Sequence, residues 1–169
     1  QAVRCHADLM LAHGRDPGNG TDAPSPLFAC VVEPVTREVR LHQQVPPPGI
    51  RLNDLSWAGN NLMHDVPFLE TLLLLGRLTG DAAYETAVDA VFAFYPHHCP
   101  HPETGLFPWG EHAQWSFTSR RILANACQDP YAFSEYLIIH DHLRFAPAWF
   151  WERMWQSSPE AVVRYAHGL

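Results

Sequence analysis

The stretch Gly105-Leu-Phe-Pro-Trp-Gly-Glu-His-Ala-Gln-Trp115 sets an imidazole, His112, and a carboxylate, Glu111, beside two indoles, Trp109 and Trp115. Further on, His140, Asp141 and His142 put two more imidazoles around a carboxylate. Imidazole with carboxylate ligates Zn²⁺, Mn²⁺ or Fe²⁺, and the same pair moves protons near neutral pH. Tryptophan beside such groups offers a flat apolar face to the C–H side of a sugar ring. The two blocks together point to a carbohydrate-active site with a metal in reach. The competing reading is a buried His–Asp hydrogen bond tying two loops together, with the tryptophans packed as loop aromatics.

A third polar group is Asn61, His64 and Asp65, at i, i+3 and i+4 spacing on one helix face. These residues start a helix, where free backbone donors favour an anionic ligand. A polar helix start in plain solvent would look the same. If residues 140–142 are extended, His140 and His142 share one side and Asp141 faces the other. One of the two imidazoles could then orient a metal ligand. His97, His98 and His101 read as a solvated Pro/His loop. Trp149, Trp151 and Trp155 recur too densely for a binding face and read as core.

Helices must position these groups. Apolar spacing predicts a helix over 3–12, ended at Gly14 and followed by a Gly/Pro/Asp/Asn loop. Residues 27–32 and 39–41 read as a small β-hairpin insertion near residues 27–42. The clearest helix runs over 58–80, with Gly80 as its stop. Asp81 then caps a helix over 82–95. A break that short makes the pair an antiparallel αα-hairpin. Leu72, Leu75, Val88 and Phe92 are its expected buried positions. After a Pro/His/Gly loop the chain reads as irregular as far as residue 131. An aromatic helix over 145–155 follows. A last helix then starts from Ser157, as a capping box with Glu160, or from Ser158, with Pro159 in its first position. The fold class is mainly α, part of an α/α toroid built from antiparallel helical hairpins. Residues 1–169 read as a single partial domain, truncated at both ends.

Composition bounds the function. The chain carries 18 acidic and 11 basic residues, a formal charge of −7, which opposes binding to a phosphate backbone, so no nucleic-acid partner is expected. Every basic residue is Arg. No apolar run approaches the ~20 residues of a membrane span, so no membrane partner is expected. Cys5, Cys30, Cys99 and Cys127 have no CxxC spacing and read as free thiols. No secretory leader is visible from Gln1, which leaves a cytoplasmic or periplasmic location open.

The block order resembles the family 2 polysaccharide lyases, which are pectate lyases with an α/α toroid. The blocks are Ser25-Pro-Leu-Phe28, Asn61 through Leu78-Thr-Gly-Asp81, Gly105 through His112, His140-Asp141, and the aromatic segment closing on Ser158-Pro-Glu-Ala161. They span most of residues 25–169. The resemblance implies that His112 and Asp141 ligate a divalent transition metal, Mn²⁺ or similar, with Asp141 standing in place of a Glu. It implies Glu111, Trp109, Trp115, His140, His142, Asn61 and His64 around an acidic polysaccharide or oligosaccharide. It implies cleavage by metal-assisted β-elimination, the loss of a C5 proton next to a carboxylate and of the C4 oxygen. The family's catalytic Arg precedes a further ligating His, and no Arg-His pair follows Asp141 before Leu169. The catalytic residue is therefore left unassigned, and these residues alone are expected to be inactive. Two other readings stay open: a six-hairpin-type glycoside hydrolase, with Glu111 as acid and Asp65 or Asp141 as partner, and a non-catalytic helical carbohydrate-binding or scaffold fragment.

Overall fold

The computed structural model describes residues 1–41, 48–49, 59–108, 113–125, 133–134 and 146–168. Among them, five helices carry the chain: α1 (Ala2–His13), α2 (Leu62–Thr79), α3 (Ala82–His98), α4 (Ala148–Ser157) and α5 (Pro159–Gly168). Strands β1 (Gly59–Asn60), β2 (Ala113–Ser116), β3 (Ile122–Asn125) and β4 (Phe133–Ser134) form one antiparallel sheet in that order. The fold is mainly helical, as the periodicity predicts.

The α2–α3 hairpin forms where the sequence places it. Gly80 takes a left-handed conformation, φ 74°, and its N–H closes the helix on the Gly76 carbonyl. Asp81 accepts the Ala83 N–H at 3.0 Å and starts α3. The two helices pack on each other across this short link, which makes them antiparallel. Nothing lies within 4 Å of a Cβ built on Gly80, so its requirement is conformational. Gly80→Ala should cost about 1 kcal/mol in urea denaturation. Leu69, Leu72, Val88, Val91 and Phe92 are buried. Leu75, expected among them, is only half-buried, and Leu78 is exposed. Leu72→Ala is therefore the core deletion, at roughly 2–5 kcal/mol, and Leu75→Ala should cost less.

Several boundaries differ from the sequence reading; the aromatic helix expected over 145–155, for example, runs over Ala148–Ser157. The helix expected from residue 58 starts at Leu62, because Gly59 and Asn60 pair with Ser116 and Trp115 of β2. A Cβ on Gly59 would overlap the Trp115 carbonyl oxygen, so only glycine allows this approach. Helix α3 runs through Pro96 to His98; one lost backbone donor does not end it when Tyr95 and Pro96 are both buried. The β-hairpin expected near residues 27–42 shrinks to one antiparallel bridge, Val32 with Val39, closed by the Glu33 N–H on the Glu38 carbonyl at 2.9 Å. Its turn contains Pro34, which has no donor, and Arg37 at φ 61°. So short an isolated pair cannot extend into a ladder.

Helices α4 and α5 pack on each other and on α3. Phe150 is buried edge-on against Phe92, with ring centroids 5.3 Å apart. Trp149 and Trp151 are half-buried against this core, but Trp155 is 51% exposed and does not belong to it. Ser158 is the cap of α5, since its Oγ accepts the Ala161 N–H at 3.3 Å. The Ser157 hydroxyl instead donates to the Phe92 carbonyl at 2.6 Å.

Candidate functional site

The sequence-predicted site residues divide into two sets. Trp109, Glu111, His112, His140, Asp141 and His142 lie outside the described residues. Trp115, Asn61 and His64 lie within them and go to different places. Trp115 lines a cavity of about 540 Å³. His64 is exposed on a second cavity of similar size. Asn61 is buried and accepts the Met63 N–H at 3.2 Å, so it caps α2.

The first cavity lies between the end of α3, the turn after it, β2, β3 and α5. The α3 end contributes His97 and His98, the turn after it His101, β2 Trp115, the β2–β3 turn Arg121, and α5 Arg164. Continuation of α3 past Pro96 is what carries the first two imidazoles to the wall. The turn from His101 holds itself closed: the imidazole Nδ1 accepts the Glu103 and Thr104 N–H groups, both at 3.2 Å. Gly105, at φ 75°, lets the turn touch α5, since a Cβ there would meet Arg164 at 2.9 Å. The Arg164 Nη2 donates to the Pro102 carbonyl at 2.8 Å. Burial and the neighbouring His97 hold His98 below the usual histidine range, and its ring stacks on Phe94 at 4.1 Å. Among the described residues, no Asp or Glu lines this cavity, although the chain as a whole is acidic. The buried Trp115 indole N–H has no hydrogen-bond partner among the described residues.

Arg120 also lines this cavity, but its charge is committed. It sits on the β2–β3 turn at φ 56°. Its Nη1 pairs with the Asp16 carboxylate, and its Nη2 donates to the Ala23 carbonyl at 2.9 Å. Asp16 is buried and also accepts N–H groups from Gly18 at 2.9 Å and Ser25 at 3.2 Å. Asn19 adds an Nδ2 bond to the Thr118 carbonyl at 2.8 Å. The loop after α1 is thus fastened to the sheet tip, and Arg120 is a structural cation.

The second cavity lies against the start of α2 and takes Phe68, Met10, His6, His64, Asp65 and Cys30 among its walls. The Asp65 carboxylate accepts a bond from the Asn60 Nδ2, whose other hydrogen goes to the Phe28 carbonyl at 2.8 Å. Burial pushes the Asp65 carboxyl up to about 7, partly opposed by that Asn60 bond. Burial, with the nearby Asp65 charge, pushes the Cys30 thiol up to about 12, which makes it a neutral, unreactive group. Gln114 and Trp115 are neighbours on β2, so their side chains leave opposite faces of the strand. Gln114 turns toward Cys30, with Sγ and Oε1 4.0 Å apart.

Sequence reasoning missed the histidines of the first cavity as a wall, because loop composition alone does not show that α3 continues through Pro96. It missed the sheet that carries Trp115, because the β2–β3 turn contains no Gly or Pro. Among the described residues, no group of three or more His, Cys, Asp or Glu side chains is arranged to hold a metal ion. Also among them, no helix is long and apolar enough to cross a membrane. No family profile matches the sequence, and no curated protein matches it.

Proposed function

We propose that this chain is part of a pectate-lyase-like protein with an α/α toroid, which acts on an acidic polysaccharide by metal-assisted β-elimination. The observation that carries this reading is the first cavity: an indole, three imidazoles and guanidinium groups, with no carboxylate among the described residues of its wall. A uronate unit has an apolar C–H face for Trp115 and a carboxylate for a guanidinium, which can bind it through two parallel N–H bonds. In a chain of net charge −7 such a wall is a local exception and gathers anions against the overall field.

The described residues do not furnish a metal centre by themselves. The resemblance assigns that role to His112 and Asp141, and His112 directly precedes β2, the strand that carries Trp115. A bound metal would withdraw charge from the uronate carboxylate and so make its C5 proton more acidic. The chain's own described residues bind and orient: Trp115 supports the ring, while Arg164 holds the carboxylate.

The test is an ultraviolet assay for unsaturated product on a panel of uronate polymers, with and without Mn²⁺, beside calorimetry with a galacturonate oligomer. Binding should weaken with added salt, and Arg164→Gln should weaken it by about tenfold. Unsaturated product supports the lyase reading. Reducing ends without unsaturation would assign a glycoside hydrolase, and binding with neither product would leave a carbohydrate-binding module. Salt-insensitive binding, equal for neutral and acidic oligomers, would remove the cavity from the argument.

A further inference from the structure

The second cavity is independent of the first and has a different chemistry. One wall is apolar, with Phe68, Met10 and Val32. The Phe68 ring is fixed by edge contacts to Phe28 at 5.0 Å and His6 at 5.7 Å. Asp65, one turn before Phe68 on α2, lines the same cavity. Its side chain has one hydrogen-bond partner among the described residues, the Asn60 amide, and no salt bridge to it is formed among them. The other carboxylate on the wall, Glu33, is occupied: its Oε2 accepts the Val35 N–H at 2.7 Å and the Thr36 N–H, and its Oε1 is 3.7 Å from Arg40.

We propose that the second cavity binds a small organic ammonium ion, its apolar body on Phe68 and Met10 and its charged nitrogen on Asp65. A carboxylate removed from water beside apolar side chains is costly without a counter-charge, and a cation that brings its own apolar surface satisfies both kinds of group at once. The empty site avoids the cost by holding the proton, consistent with the elevation of the Asp65 carboxyl to about 7. Binding a cation therefore releases that proton. The other groups facing Asp65 are His6 from α1, Cys30, Glu33 and Arg37 from the segment after it, His64 on its own helix, and Tyr95 from α3. Cys30 and Tyr95 are held neutral by burial, with Asp65 adding to the shift in each. Arg37 opposes a cation at every pH, and Asp65 gives up its proton as pH rises, so affinity should rise from mildly acid to mildly alkaline solution.

Calorimetric titration of the whole chain with 2-phenylethylamine, 2-phenylethanol and 3-phenylpropionate tests this. The amine should bind at least about tenfold more tightly than the alcohol, and the carboxylate should bind worst. Near neutral pH the heat should depend on the ionisation enthalpy of the buffer, which reports proton release. Asp65→Asn should remove both the amine preference and the proton release, while Arg164→Gln in the first cavity should change neither. No amine binding, alcohol binding as tight as amine binding, or an amine preference that survives Asp65→Asn would overturn the proposal. The ligand comparison on the unaltered chain decides even if the Asn variant fails to fold, and none of these outcomes bears on the polysaccharide reading.

Discussion

Arg120→Met should destabilise the fold by about 3–5 kcal/mol, one of the largest effects of any single substitution in this chain. The Asp16 side chain is completely buried, and Arg120 supplies its counter-charge. Two backbone N–H groups would remain on the carboxylate, but those are neutral donors and do not offset a buried charge. Methionine keeps most of the side-chain length, so the loss isolates the guanidinium. The double variant Asp16→Asn with Arg120→Met should recover much of the loss, because no unpaired charge is left behind. Urea denaturation of the four proteins gives the coupling. A coupling near zero would mean that Asp16 is stabilised by its backbone donors alone.

Asp65→Asn should act in the opposite direction and depend on pH. An ordinary aspartate ionises near 3.8, and burial moves Asp65 up to about 7 in the fold. Between those values the unfolded chain gives up the proton and the folded chain keeps it. The folded state then binds more protons, so each rise in pH favours unfolding. The penalty is absent below the unfolded value and complete above about 7, where it approaches about 4 kcal/mol at most. Asparagine carries no such penalty and still offers an oxygen to Asn60. The variant should therefore match the parent near pH 4 and exceed it by about 2–4 kcal/mol near pH 8. Denaturation midpoints across that range check it. A constant difference at all pH values would show that the carboxyl does not titrate on unfolding as described.

Local signals were legible in the sequence and long-range ones were not. Gly80 and Asp81 announce the helical hairpin because a left-handed stop and a side-chain cap are decided within a few residues. Ser158 was one of two readable caps, and Ser157 was excluded only by the Phe92 carbonyl, far away in sequence. Helix α2 loses its expected first turn to a strand partner that lies beyond residue 112. Periodicity carries no information about such a partner. The same holds for the site. Trp115 was chosen for its ring type, and it does line a cavity. His97, His98 and His101 looked like loop composition, yet they share that wall because α3 continues and Gly105 lets the turn meet α5. His64 and Trp115 were grouped by chemistry, but they line different cavities.

The fastening of the first loop to the sheet tip also bears on how the chain folds. The Asp16–Arg120 pair joins residues 104 positions apart, whereas α2 and α3 meet across a short link. Closing a long loop costs chain entropy before any contact repays it, while a helical hairpin gains contacts early. We expect the hairpin to form in the folding nucleus and the Asp16 clasp to close after the rate-limiting barrier. In kinetic terms, Leu72→Ala should slow refolding, and Arg120→Met should leave refolding almost unchanged and accelerate unfolding. A protein assembled in that order resists opening at its clasp. On that expectation one guanidinium on a five-residue turn governs how long the native state lasts, and a hairpin elsewhere governs how fast it forms.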